Sequence, residues 1–445
     1  MAGDSLDLLN DLIQAARRAG ADAADAVLID GTSVSLAQRL GVPERLERSE
    51  STDVGLRVLI GRRQAIVSSS DTRRPALDEL VERAVAMAAT VPEDPYCGLA
   101  GPDQIATHVP EIDICDPRAI DAETLKDWSR RAEEAARAVP GVTNSEGAEA
   151  SWSQTRVALA ATNGFAETYA RSNVSLGVSV LAGEGTAMER DYEFTSAVYA
   201  EDLDAPESVG TSAGEKAVKR LKPRKMPTVR VPVVYDPRAG RSLLSHLAGA
   251  VNGAAVARGT TFLRKSLDAK LFPDAIRIVD DPRRKRGLGS RPFDGEGLSA
   301  ERLNIVDGGV LKTWLLDLRS ARQLGLTSTG RAARGISSPP SPSTTNLYLE
   351  AGTVSPEALY GDVKSGFYVT ELIGMGVNTV TGDYSRGASG FWIEDGALAF
   401  PVSEITIAGD LKEMFANLSA ADDLVFRYAT NTPTVRIEGM TVAGQ

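Results

Sequence analysis

Few residues in this chain could do bond chemistry, and their spacing decides what they could be. It carries two histidines, His108 and His246, and two cysteines, Cys97 and Cys115. A catalytic zinc ion needs about three protein ligands plus an open position, two of them commonly set one helical turn apart. His246 opens the run His-Leu-Ala-Gly-Ala-Val-Asn, with no adjacent glutamate and no second histidine, and no cysteine occurs after residue 115. His246 is read as a helix histidine packed in or near the core. The other pair with acid–base potential is Asp294 and Glu296, which could exchange a proton or hold a cation. Both lie between glycines, where turn formation is the simpler account. A Ser-His-Asp triad would have to recruit one of the two histidines from an unmarked context. The chain is assigned no catalytic residue and no metal ligand.

Binding chemistry is better represented. Residues 374–396 read Gly-Met-Gly-Val-Asn-Thr-Val-Thr-Gly-Asp-Tyr-Ser-Arg-Gly-Ala-Ser-Gly-Phe-Trp-Ile-Glu-Asp-Gly. Glycines at 374, 376, 382, 387 and 390 allow positive φ or close backbone approach, whereas the β-branched and aromatic residues between them favour an extended chain. This pattern describes a pair of glycine-punctuated strands. Small hydroxyl side chains and free backbone amides along them would grip another chain by main-chain hydrogen bonds. A tightly turned hairpin inside a β core is the competing reading. The candidate peptide- or partner-binding residues are Val377, Asn378, Thr379, Val380, Thr381, Gly382, Asp383, Ser385, Phe391 and Trp392.

The elements that must position these residues follow from periodicity and punctuation. Residues 5–19 place Leu8, Leu9, Leu12, Ile13 and Ala16 at helical spacing, and residues 74–90 do the same with Leu77, Leu80, Val81 and Ala84. Between them lie extended runs at 26–30, 33–40, 51–60 and 64–69. A helix over 121–139 is capped by Asp121 and ended by Pro140-Gly141. Asn163-Gly164 marks a tight hairpin between strands at 151–161 and 165–182, and a helix follows at 208–221. The basic, proline-broken run 219–227 is read as a solvated linker and the main boundary. Beyond it come a strand at 228–235, a helix at 238–256, and a series of short extended runs to residue 442. So many short strands argue for a closed or strongly curled sheet. Residues 336–345 are too rich in proline to pair, and the cluster Arg283 to Arg286 reads as a solvated loop. The fold class is α/β in the α+β sense. An N-terminal mixed helix and sheet region (1–110) and a middle helix-plus-hairpin region (111–225) precede a β-rich, barrel-like C-terminal domain (226–445).

The chain has 445 residues, 42% of them hydrophobic and 24% charged, with a net charge of −11. That composition suits a globular protein and disfavours direct nucleic-acid binding. No apolar run approaches the ~18 residues that span a bilayer, and two cysteines make no disulfide framework, so a cytoplasmic location with no membrane contact is expected.

Residues 377–385, Val-Asn-Thr-Val-Thr-Gly-Asp-Tyr-Ser, resemble the C-terminal signature of the TldD/PmbA family, Val-Asn-x-Val-Thr-Gly-Asp-(Tyr/Phe)-Ser. Pro-Tyr-Cys-Gly-Leu at 95–99, Gly-Leu-Gly-Ser-Arg-Pro-Phe-Asp-Gly-Glu-Gly at 287–297 and Ile-Ala-Gly-Asp-Leu at 407–411 extend the resemblance over nearly the whole chain. The family has a TldD branch with a His-Glu-x-x-x-His zinc motif and a PmbA (TldE) branch without it, and this chain resembles the second. In the first branch the helix matching 238–256 bears that motif, and a late cysteine adds a ligand. The resemblance implies a non-catalytic subunit of a heteromeric zinc metalloprotease. It would pair with a TldD-like catalytic subunit of the same fold around a chamber for extended or unfolded peptides, with zinc in the partner and no cofactor here. Whether the chain alone forms a homodimer is left open by the sequence. The alternatives are a regulatory protein-binding factor acting on DNA gyrase or a toxin-antitoxin component, and an autonomous peptidase built on Asp294, Glu296 and His246.

Overall fold

The computed structural model describes residues 2–444. Helix α1 (Ala2–Arg18) leads into β1 (Ala23–Arg39), β2 (Val42–Ile60), β3 (Arg63–Ser69) and α2 (Arg74–Thr90). After a long loop come α3 (Ala122–Ala138), β4 (Val142–Ala161), β5 (Ala166–Ala182), β6 (Glu189–Ala197) and α4 (Pro206–Lys219). The six strands form one antiparallel sheet in the order β3-β2-β1-β4-β5-β6. Alternation along β1 divides its two faces. Ala24, Ala26 and Leu28 pack with α1 and α2, and Val34 and Leu36 pack further along with α3 and α4. Val27, out of phase with them, packs on the other face with Leu159, Phe165 and Phe293.

Local chemistry fixes the connections. Asp121 caps α3, its carboxylate accepting from Thr124 N at 2.8 Å. The Asn163-Gly164 hairpin forms as expected, with Gly164 at φ 97°. Residues 210–214 spell Gly-Thr-Ser-Ala-Gly, which matches a nucleophile elbow in letters alone. Here the glycines serve packing, because a Cβ on Gly210 would stand 2.1 Å from the Ala132 carbonyl. Ser212 lies mid-helix and donates to Glu193 at 3.0 Å.

The C-terminal half begins with β7 (Val229–Tyr235), followed by α5 (Pro237–Ala250) and α6 (Gly253–Arg258). β7 pairs in parallel with Ser365–Ile373, and the chain then runs antiparallel through Asp383–Glu394 and Ala397–Asp410. Val435–Ala443 pairs with β7 on one side and with residues 406–408 on the other, closing a five-stranded barrel. Its interior is filled by Tyr235, Phe367, Trp392, Ile407, Val435 and Ile437, as a barrel this narrow requires.

Four expectations are corrected. The helix at 238–256 is two helices, because Asn252 starts α6 by accepting from Ala254 N at 3.0 Å. Arg220 is buried rather than part of a solvated linker, since carboxylates of the first sheet and the barrel both reach it. Arg284 and Arg286 lie over the rings of Phe426 and Tyr199 at 3.2 and 3.7 Å, so these two members of the basic cluster are packed while Lys285 stays exposed. Ser341–Pro342 pairs with Ala332–Ala333 in a ladder too short to need the missing proline amide.

Candidate functional site

Helix α5 is capped by Asp236, which accepts from Arg238 N at 2.8 Å. Ala239, Gly240, Leu243, Leu244, Leu247 and Ala250 form its buried stripe against the barrel. That leaves Arg238, Arg241, Ser242, Ser245 and His246 to line a cleft of about 590 Å³. Its other walls include Arg190 and Tyr192 of β6, Glu371 and Leu372, Met375, Arg386 and Tyr428.

The spacing of the zinc motif can be laid on this helix. His-Glu-x-x-x-His puts its functional residues at i, i+1 and i+5. Started at His246, it would fall on Leu247 and Val251, which are 1% and 0% exposed core residues. Ended at His246, it falls on Arg241 and Ser242, and all three then face the cleft. The scaffold thus presents the motif's positions with arginine in place of the first histidine and serine in place of the glutamate. Among the described residues no group of three or more His, Cys, Asp or Glu side chains is placed to share a metal ion. The cleft's charged residues are Arg190, Arg238, Arg241, Arg386 and a single carboxylate, Glu371, which binds Arg220 at 2.6 Å. This donor set does not fit a zinc ion.

His246 packs edge-on against Tyr384, ring centroids 5.9 Å apart, and its buried Nε2 has no hydrogen-bond partner within the protein. Burial, reinforced by the nearby Arg386 charge, pushes its pKa down to about 4, so the imidazole is neutral at physiological pH. Arg386 is 9% exposed, and its side chain donates only a long hydrogen bond, 3.4 Å, to the Ile373 carbonyl. Arg241 lies over the Tyr428 ring at 4.3 Å. No carboxylate stands within ion-pair distance of Arg241 or Arg386 among the described residues. The floor is held differently. Asp191 accepts from Arg220 Nη1 at 2.9 Å and from Arg238 Nη1 at 2.8 Å, so one buried ion network joins β6, the end of α4, α5 and the barrel.

The glycine-rich segment borders this cleft but is not built as expected. Residues 374–382 are a turn, and only Asp383–Glu394 is a strand. The Asn378 side chain accepts from the Val380 and Thr381 amides, and its carbonyl accepts from Gly382 N. The amides of Val377, Asn378, Asp383 and Ser385 are likewise bonded within the segment. The free amides foreseen for gripping a peptide are therefore consumed by the turn. Phe391 and Trp392 lie in a strand paired on both edges, so neither offers free backbone, and Trp392 is in the barrel core while Phe391 is half-buried. Beside the exposed Asn378, Thr379 and Thr381, the turn and the strand end before it present apolar side chains to solvent: Ile373, Met375 and Val380 are 61%, 88% and 56% accessible.

The remaining candidates are dispersed. Asp294 accepts from the amides of Glu296, Leu298 and Ala332, and Glu296 accepts from Leu318 N, so both hold a turn together. Burial drives both pKa values up, and Asp294 raises Glu296 further. Asp294 lines a different cavity from His246, and His108 is exposed on a loop, so the set proposed for autonomous hydrolysis is not assembled. Sequence reasoning missed Arg241 and Ser242, whose signal was the motif's spacing counted backward from His246. Asp191 carried no local signal.

Comparison with known proteins covers the whole of this architecture. Three family domains match in order: PmbA/TldA metallopeptidase domain 1 at residues 24–88, the central domain at 115–221 and the C-terminal domain at 228–444. The chain is 36% identical over 426 residues to the metalloprotease PmbA of Escherichia coli O157:H7, covering 95% of this chain and 93% of that one. The chain belongs to the PmbA/TldD family. It is also 36% identical over 437 residues to the PmbA homologue of Haemophilus influenzae, covering 97% and 94% of the two chains. In structure it resembles TldE from Thermococcus kodakarensis, with a TM-score of 0.88, 20% identity, and 98% and 100% of the two chains covered. That likeness establishes the shared fold with its closed barrel.

Proposed function

We propose that this chain is the non-catalytic subunit of a TldD/TldE-type heteromeric zinc metalloprotease acting on extended or unfolded peptides. The observation that carries this reading is the identity of the three motif positions on α5, Arg241, Ser242 and His246, in one cleft whose charge is dominated by guanidiniums. A guanidinium supplies no lone pair to a metal and repels a cation, and serine cannot replace glutamate as a general base for the attacking water. The chemistry falls to a TldD-like partner that carries the zinc. The resemblance to a structure named TldE supports pairing of this kind.

In this reading the exposed apolar turn bearing Ile373, Met375 and Val380 meets the partner or the peptide through side chains, and the α5 cleft forms part of the chamber wall. Among the described residues no helix is long and apolar enough to cross a membrane. A cytoplasmic location belongs to the proposal, and Cys97 and Cys115 are free thiols. The deciding experiment measures hydrolysis of an unstructured peptide by this chain alone, by a TldD-like protein from the same genome, and by the mixture, with zinc determined in each. Activity and stoichiometric zinc that require the partner are the expected result. Hydrolysis by the isolated chain with zinc bound to it would overturn the assignment.

A further inference from the structure

The run 287–297 has no part in the α5 cleft, yet it builds a second cavity. Gly289 and Gly295 let the backbone pass where a Cβ would lie 2.4 Å from the Thr345 carbonyl and 2.8 Å from Arg334 Cβ. This close approach holds Arg291, Phe293 and Asp294 against the face of the N-terminal sheet that its helices leave uncovered. The enclosed space is about 380 Å³, within the range of small-molecule sites. Val27, Ile29, Val157, Leu159, Tyr169 and Phe293 form its apolar walls. Phe293 is fixed edge-on between Phe165 and Tyr169, at 5.0 and 5.2 Å.

Two guanidiniums enter this apolar space with donors unspent. The Arg334 side chain is 2% exposed and reaches Asp25 through Nη1, but its Nε and Nη2 are buried without an acceptor in the protein. Arg291 Nε and Nη2 are in the same condition; its charge is felt by Asp294, but no carboxylate lies within ion-pair distance of it among the described residues. Arg171 stands on the same lining, and the only acid there, Asp294, is occupied by three backbone amides. Buried donors without partners are costly, and a planar guanidinium fork matches a carboxylate.

We propose that this cavity binds a carboxylate attached to an apolar body, the carboxylate taken by Arg291 and Arg334 and the body seated against Phe293, Tyr169 and the sheet. Two sources share that chemistry: the C-terminal residue of a peptide with an apolar side chain, and a small aromatic or aliphatic acid. The site meets the α5 cleft at Ala429 but shares none of its charged residues, so the inference stands whether or not the subunit reading holds.

The test is calorimetric titration of the full chain with N-acetyl-Leu-Phe, 3-phenylpropionate, their amides, and inorganic phosphate. Saturable binding of either acid, with its amide at least about tenfold weaker because the charge-assisted bonds are lost, supports the site. Which acid binds identifies the source. Arg291→Gln should abolish binding, and Arg291→Lys, which keeps the charge but not the fork, should weaken it. Since no ion pair depends on Arg291, both variants should fold; if Arg291→Gln melts early, the lysine variant is read. Absence of saturable binding by both acids at about 10 mM, equal binding of acid and amide, or phosphate binding as tightly as the acids would overturn the proposal.

Discussion

Asp191→Asn keeps the shape of a side chain and removes the charge on which the cleft floor depends. The Asp191 side chain is 3% exposed and serves Arg220 and Arg238, whose side chains are 7% and 12% exposed. Breaking a buried pair from one side costs about 3–5 kcal/mol, because the opposite charge stays buried. Arg220 keeps Glu371 at 2.6 Å and Ser389 at 2.7 Å, and Arg238 keeps the Thr370 carbonyl, so we expect the lower end, about 3 kcal/mol. For a cooperative unit the size of the C-terminal half this corresponds to a fall of roughly 6–12 °C in melting temperature. Urea unfolding followed by tryptophan fluorescence reads it, since Trp314 and Trp392 report the barrel half and Trp152 the sheet. The effect has a pH signature. Burial alone would raise the Asp191 pKa, but the hydrogen bond from Arg238 and the charges of Arg238 and Arg220 bring it below the ordinary 3.8. A folded pKa below the unfolded one gives stability that is complete above the unfolded value and lost as pH falls through the folded value. The gap between wild type and Asp191→Asn should therefore be full at neutral pH and close as the pH drops below about 4. A cost under about 0.5 kcal/mol at pH 7, or a gap that persists in acid, would refute the argument.

Other consequences are as direct. The His246 ring should show constant NMR shifts from pH 8 to 5, and because its folded pKa of about 4 lies below 6.5, its contribution to stability is lost as pH falls between them. Glu296→Gln should flatten the stability profile: burial and Asp294 raise the folded Glu296 pKa above 4.5, so the wild type loses stability as pH rises through it, and urea midpoints at pH 5 and 8 measure the slope. Met375→Asp, at an 88% exposed position, should change stability by less than about 0.5 kcal/mol while, if the proposed subunit pairing holds, weakening pull-down of a TldD-like protein from the same genome. Arg241→His with Ser242→Glu restores the letters of the zinc motif but leaves no third strong ligand, so zinc should be lost on dialysis; stoichiometric retained zinc would count against the donor analysis.

Local signals in the sequence reached far into the fold. Helix α2 spans Arg74–Thr90 as its periodicity required, Asp121 caps α3, and the Asn163-Gly164 turn joins β4 and β5. The curled sheet was legible because its short strands are closely spaced, although closure rests on residues 406–408 pairing with 441–443, a contact no local pattern reveals. β1 and β2 run longer than their apolar segments suggest, since residues 42–53 are mostly charged or polar and are held by backbone pairing to β1 alone. The signature at 377–385 lies beside the α5 cleft, but its backbone is not laid out as the paired strands its residue types suggested. Its Asn378 and Thr381 side chains read as binding groups, but the chain uses them to close a turn. The cleft arises from α5, β6 and the barrel meeting in space, so Arg241, Arg386 and Asp191 gained meaning only from the fold.

The residues that α5 presents to the cleft bear on whether this helix face can hold a metal. A helix face that holds zinc must bring lone pairs together without competing cations, whereas here Arg241 occupies one ligand position and Arg386 stands close enough to depress the pKa of the one histidine left. A lowered pKa keeps that imidazole neutral, which by itself suits a metal ligand. The obstacle is the surrounding charge, because each guanidinium that lowers the histidine pKa repels a divalent cation by the same field. The same field favours negative or hydrogen-bond-accepting groups in the cleft. Arg238 is locked to Asp191 and Arg190 reaches Glu371, leaving Arg241 and Arg386 as the cleft's guanidiniums without a counter-charge among the described residues, and therefore as the two whose removal should change ligand affinity in the cleft more than stability.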